Sequence, residues 1–306
     1  MALLRLIPAE TNFQFITRHK IFLVFSALLM VASIGLVLTK GLAFGIDFKG
    51  GILIEVRTEG PANISNMRSD LAGLGLGEVA LQEFGQSTDV LIRIQAQEGG
   101  EAAQQAAVNA VRESLGEGVD YRRTEFVGPT ISQELLRDGI YAVLAAIGAI
   151  LVYIWFRFEW QFGVAAVIAL AHDIIATIGV FSLIQHEFNL ATIAAVLTIA
   201  GYSINDTVVV FDRVREKLRK YKTLPLPELF NLAINKTLSR TIMTSVTTLL
   251  AVGALYVLGG EIIRDFAFAM MWGVVVGTYS SVCLAVPLLL YFNVDRGTGE
   301  STIERP

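Results

Sequence analysis

The chain has 306 residues, 54% of them hydrophobic and only 17% charged, with a mean hydropathy of +0.58. A soluble protein of this length needs more charge to cover its surface, so the composition points to a membrane protein. The formal net charge of -4 gives no reason to expect nucleic acid, and the single cysteine, Cys283, excludes an intrachain disulfide or a cysteine metal site.

A lipid-spanning helix needs about 20 mostly apolar residues. Six segments meet that test, at residues 21–39, 139–156, 160–185, 188–211, 241–260 and 266–294. The first is long for a signal-peptide core and reads as a retained anchor. Lys and Arg collect on one side: three before the first span, Arg157 after the second, eight within residues 212–240 and two in the tail at 295–306. The opposite side has only Arg264 between the fifth and sixth spans. By the positive-inside rule both ends, residues 1–20 and 295–306, are expected in the cytoplasm together with the loop 212–240.

Residues 40–138 then fall outside the cytoplasm, with nine basic and fifteen acidic side chains. Their pattern predicts a strand over 45–58, a short helix over 62–74, strands at 79–84 and 90–95 around a turn at 85–89, a helix over 101–115 and a last strand at 119–127. That order predicts a ferredoxin-like α+β domain. About 95 residues can bury a core of their own. The expected fold is therefore six transmembrane helices plus one periplasmic α+β domain between the first two.

Charge inside the spans is where chemistry is expected. Asp206 lies in "GYSINDTVVVFDR", beside Tyr202, Ser203 and Asn205, with Gly201 allowing close helix approach. A carboxylate facing lipid costs about 2.5–3.5 kcal/mol, so Asp206 should face other helices or a hydrated path. The plainer reading is a side chain snorkelling to the nearby interface. Asp173, beside His172 in "ALAHDIIATIG", is deeper; it is either functional or a packing residue bonded to serines and threonines. The fifth span opens "NKTLSRTIMTSVTT", with Arg240 at a depth comparable with Asp206 because the two helices run antiparallel. Arg240 is either the partner of that carboxylate or a positive-inside anchor. Thr237, Thr241, Thr244 and Thr248 recur at helical spacing and form one polar stripe. In "GVVVGTYSS", Gly273 and Gly277 are four apart and suit close helix packing, here expected against a partner subunit. His19, His172 and His186 lack metal-ligand spacing, and no nucleotide loop, triad or metal motif is present, so neither enzyme, metal nor cofactor is expected.

Taken together, "FGIDFKGG" after span one, "HD" in span three, "GYSINDTVVVFDRVRE" in span four, "NKTLSRTIMTSVTT" in span five and "GTYSS" in span six resemble the SecF proteins of the SecD/SecF protein-export family. The resemblance covers nearly the whole chain. It implies a bacterial inner-membrane subunit that pairs with SecD into a twelve-span unit similar to resistance–nodulation–division transporters. It also implies association with the SecYEG channel and YajC, contact with unfolded preprotein, and use of the proton motive force to promote translocation. The family's membrane carboxylate and cationic partner fall on Asp206 and Arg240, with Asp173 a further proton-coupling candidate and Asn205, Ser203 and Thr244 as polar support. A small-molecule exporter half and a passive scaffold are the competing readings, and H+ and Na+ both remain open as the coupling ion.

Overall fold

The computed structural model of the protein describes residues 11–259, 261–292 and 294, so the tail expected at 295–306 and the first ten residues lie outside it. The chain divides into two compact units. One holds the described residues up to Ala43, Val143–His186 and those from Ala191 onward; the other is Phe44–Ala142 with Glu187–Leu190.

Six helices among the described residues are long and apolar enough to cross a membrane: Ile16–Lys40, Thr130–Arg157, Trp160–Ile184, Leu190–Lys220, Leu226–Leu258 and Ile263–Tyr291. They are referred to as spans one to six. Spans three and six are the most buried, while spans one and two bury little. Leu28, Val31 and Leu38 of span one, Trp155 and Phe156 of span two, and Leu250, Val257 and Leu258 of span five all stand exposed. Such a surface suits hydrocarbon, which removes the need to hide apolar side chains.

The expected bounds shift for physical reasons. The helix of span five begins before residue 241: the last part of the loop expected at 212–240 belongs to it, from Leu226 onward. Pro227 sits in its first turn, where a missing N–H costs nothing. Span six is regular over Glu261–Ser280 and then widens into a π turn at Ser281–Ala285. Pro287 follows it and cannot donate to the Cys283 carbonyl one turn back.

At one end of the helical unit Phe211 meets Phe158 and Phe162 edge-on, at ring distances of 5.9 and 5.2 Å. Phe230 and Leu229 are fully buried in the same cluster, and Arg157 pairs with Asp212 at 2.6 Å. The residues before span one are pinned to span five by two asparagines a turn apart. Phe13 N–H donates to Asn235 Oδ1 (2.8 Å), Asn235 Nδ2 returns a bond to the Phe13 carbonyl (2.9 Å), and Phe15 N–H donates to Asn231 Oδ1 (2.9 Å).

The second unit is a four-stranded antiparallel sheet. Its spatial order is Val79–Phe84, Gln86–Ile94, Gly51–Thr58, Val119–Val127, and helices Ile64–Ala72 and Gly100–Leu115 follow the first and third strands in sequence. The strand–helix–strand–strand–helix–strand order is the one expected. Alternate residues Ile52, Ile54 and Val56, with Val90, Ile92 and Ile94 opposite, join Leu71, Val108 and Val111 of the helices in one core.

The strand expected over 45–58 divides. Ile46–Lys49 makes a helical turn, and the strand starts only at Gly51. Gly50 and Gly51, at φ of 71° and 126°, make the reversal, and a side chain at Gly51 would collide with the Ile94 carbonyl. Asp47 Oδ2 accepts the Leu190 N–H at 2.9 Å, and the rings of Phe44, Phe48 and Phe188 cluster beside it.

Arg57 and Asp89 face each other across two strands, with Nε–Oδ1 at 2.5 Å and Nη2–Oδ2 at 2.7 Å. Hydrogen bonding from Arg57 holds the Asp89 carboxyl below the usual carboxylate range. A depressed folded value stabilises the unit above the ordinary carboxylate range, and that contribution is lost as pH falls through the folded value. Asp89→Asn is therefore expected to weaken the fold at neutral pH and to flatten its acid dependence. Urea titrations at several pH values check this; equal acid slopes for the two proteins would dismiss the pair.

Candidate functional site

Span four carries Asp206 into the helical unit because apolar residues surround it on the helix: Ile204, Val210 and Phe211 are buried beside it. Asp206 is 5% exposed. Its Oδ1 accepts a hydrogen bond from Thr241 Oγ1 of span five at 3.2 Å. Its Oδ2 is buried and has no hydrogen-bond partner among the described residues. An ionised carboxylate can accept about four bonds, so this one is left with spare acceptor capacity. A proton, or a cationic donor, is what that oxygen lacks.

Arg240 precedes Thr241 and is itself exposed. Among the described residues no ion pair within 4.0 Å joins it to a carboxylate, and it adjoins Thr241, the residue that bonds Asp206. The arrangement is a buried carboxylate bonded by Thr241, with a guanidinium carried by the preceding residue and no ion pair between the two. Thr241, next to Arg240 in sequence, ties span five to span four.

Asp173 has a different setting. It is fully buried, and both oxygens are occupied: His172 Nδ1 lies 2.9 Å from Oδ1, while Ser203 Oγ (2.5 Å) and Ser280 Oγ (2.7 Å) both donate to Oδ2. Three helices meet on this one side chain. Hydroxyl contacts continue from it: Thr207 with Ser281 at 2.9 Å, and Ser245 with Thr278 at 2.6 Å while also donating to the Thr241 carbonyl at 2.8 Å.

Several sequence expectations are redirected. Ser203, expected beside Asp206, bonds Asp173 instead, because it lies on the face of span four turned to spans three and six. Asn205 is exposed, and Thr244 donates to the Thr241 carbonyl of its own helix at 2.8 Å; neither touches Asp206. Of the threonine stripe, Thr237 and Thr241 are buried, whereas Thr248 bonds its own helix at the Thr244 carbonyl. Gly273 and Gly277 do not face outward to a partner: span four covers them, with Ile199 over Gly273 and Ser203 over Gly277. Ser281 continues the four-residue spacing of Gly273 and Gly277, whereas Ser245, Ser280 and Thr207 carry no spacing signal that marks them in the sequence. Among the described residues no group of three His, Cys, Asp or Glu is placed to hold a metal.

Six apolar helices with buried carboxylates at their contacts define a multi-pass membrane protein whose polar chemistry is inside the helix bundle. Comparison with known proteins gives this class a family. The profile of the protein-export membrane protein SecD/SecF, C-terminal, matches residues 107–295, and that of the SecD/SecF GG motif matches residues 35–62. The chain belongs to the SecD/SecF protein-export family. It is 48% identical over 303 residues to the protein translocase subunit SecF of Cereibacter sphaeroides, covering 96% of this chain and 94% of the relative. To the SecF subunit of Rickettsia rickettsii it is 45% identical, covering 99% of this chain and 98% of the relative. Among solved structures, SecDF of Thermus thermophilus, a translocon-associated membrane protein, superposes with a TM-score of 0.85 at 38% identity. That match covers 94% of this chain but only 39% of the SecDF chain. SecDF in a super-membrane-facing form matches with a TM-score of 0.67 over 92% of this chain and 39% of the other, again at 38% identity.

Proposed function

We propose that the chain is a SecF-type subunit of the Sec protein-export machinery, in which Asp206 binds and releases the proton whose movement drives translocation. The observation that carries this reading is the buried Asp206 Oδ2, without a hydrogen-bond partner among the described residues, beside a Thr241 contact that Arg240 directly precedes on span five. Movement of Arg240 toward or away from the carboxylate exchanges a cation for a proton at that oxygen. Relatives named as translocase subunits favour this over a small-molecule exporter.

A SecD-type partner is part of the proposal. Gly201, Asn205, Arg240, Thr244 and Thr247 form exposed positions on spans four and five. Polar side chains facing lipid are costly, so a second helical unit covers them. The larger SecDF chain contains more than the part matched here, which accords with a separate partner. The same reading assigns SecYEG, YajC and the emerging preprotein as neighbours. The sheet unit is a ferredoxin-like domain on the periplasmic side of the inner membrane, and both termini are cytoplasmic, as the Lys and Arg distribution supports.

Export into sealed vesicles tests the function: the reconstituted pair should accelerate translocation under a proton gradient, and dependence on Na+ alone would change the ion. Labelling tests the placement. The native Cys283 is buried, so single cysteines at Gln105 and Lys220, both exposed, give a low background. A membrane-impermeant reagent added from the periplasmic side should reach position 105 and miss 220; the reverse pattern overturns the orientation.

A further inference from the structure

The two buried carboxylates of the spans differ in how completely they are bonded. Asp206 keeps one oxygen bare, whereas Asp173 accepts from its own helix and two others. A carboxyl with both oxygens engaged in hydrogen bonds is held in one orientation and acts as a fixed hub for its partners.

The bonds lie on a seam. Ile199, Ser203 and Thr207 are four residues apart on one face of span four. They meet Gly273, Gly277 and Ser281 of span six, also four apart: Ile199 rests over Gly273, Ser203 over Gly277, and Thr207 bonds Ser281. Ser203 is the middle tooth, and it is the one that Asp173 holds. Gly277 leaves the space for this, since a methyl group there would lie 3.2 Å from Ser203 Cβ and 3.6 Å from Asp173 Oδ2. Span six turns from α to π geometry at Ser281, which sets Ser280 toward Asp173 and Ser281 toward Thr207.

Asp206 follows Ser203 by three residues, so it points about 60° away from the seam, toward span five. A side-chain tip about 5 Å from the helix axis moves by about 2 Å when the helix turns by about 20°. That is enough to break the 3.2 Å bond to Thr241. We propose that Asp173 is a positioning residue: by holding Ser203 and Ser280 it sets the rotation of span four and hence the direction in which Asp206 faces Thr241 and Arg240. His172 orients the Asp173 carboxyl through Nδ1. The titratable groups around this hub are His172 and Asp173 on span three and Tyr279 on span six, whose ring lies 6.1 Å from that of His172, with Cys283 near Tyr279. Thr241 bonds Asp206 from span five, and the charged group beside it there is Arg240.

The functional consequence rests on Asp206 as the proton-carrying group; the positioning itself does not. The test uses the full chain with its SecD-type partner in vesicles and two readouts. One is gradient-driven export. The other is the pH profile of carbodiimide modification at Asp206, followed by peptide mass spectrometry, because the reagent attacks only the protonated carboxyl. Ser203→Ala with Ser280→Ala leaves the Asp173 carboxylate in place but releases both helices. This double variant is expected to lower export about tenfold and to move the Asp206 midpoint by about half to one pH unit. Asp173→Ala should do the same. Asp173→Asn is the conservative rescue, since its amide oxygen still accepts from both serines while its N–H2 faces His172 Nδ1; it should stay within about twofold of wild type. An unchanged Asp206 midpoint in the double serine variant overturns the proposal. So does an Asp173→Asn protein as inactive as Asp206→Asn, which makes Asp173 a proton carrier instead. If Asp206→Asn itself exports normally, the reading of Asp206 fails, and the modification profile still decides the role of Asp173.

Discussion

Asp206→Asn is expected to assemble at wild-type levels and to lose all of the gradient-stimulated part of export. Asparagine matches aspartate in size, and its oxygen still accepts from Thr241 Oγ1, the hydrogen bond that the Asp206 side chain makes among the described residues. The substitution therefore leaves the span four to span five contact in place. It removes only the capacity to take up and give off a proton. Each proton that crosses is worth about 2.3 kcal/mol per 100 mV, which is the free energy the variant can no longer apply to its conformational cycle. Export should fall to the rate seen with the gradient collapsed, not below it. Arg240→Lys should be impaired as well: an ammonium is a point charge and cannot offer the planar fork that a carboxylate matches. Retention of full stimulation by Asp206→Asn would make the carboxylate a structural group.

Gly273→Leu should have the largest effect on the fold. A side chain at Gly273 meets Ile199 of span four at once, in a seam where Ile199 is 1% exposed. Overpacking of a filled contact costs about 1–3 kcal/mol, and leucine asks for more room than a methyl group. The seam also carries Ser203 and Thr207, so the strain passes directly to the Asp173 hub. Loss of monodisperse protein and a lowered thermal midpoint in detergent are the expected observations. Gly253→Leu is the matched control, because nothing lies within 4 Å of a Cβ placed there. Equal stability of the two variants would show that the seam has slack.

Much of this architecture was readable in the residues. The six spans announce themselves because hydrocarbon demands a length of apolar chain, and that demand is local. The alternation of Ile52, Ile54 and Val56 likewise marks a strand with one face in a core. What stayed hidden depends on azimuth. Ser203 and Asp206 are three residues apart, and nothing in their order says that one turns to span six and the other to span five. The same holds for Gly273 and Gly277: their spacing predicts a close helix neighbour but not whether that neighbour is span four or another subunit. The helix of span five extends back to Leu226, beyond the apolar stretch that marks a span, because helix continues through Glu228, Lys236 and Arg240 where no breaker intervenes. The short turn at Ile46–Lys49 was missed because alternation around "FGIDFKGG" imitates a strand, and only the positive φ of Gly50 and Gly51 separates the two.

The most direct test is proton movement itself. Proteoliposomes holding the chain with its SecD-type partner, and a pH-sensitive dye in the lumen, are exposed to an imposed proton gradient. The account predicts a protein-dependent proton flux for the wild-type pair and the flux of empty liposomes for Asp206→Asn. A wild-type flux through Asp206→Asn would contradict the claim that this carboxylate carries the proton.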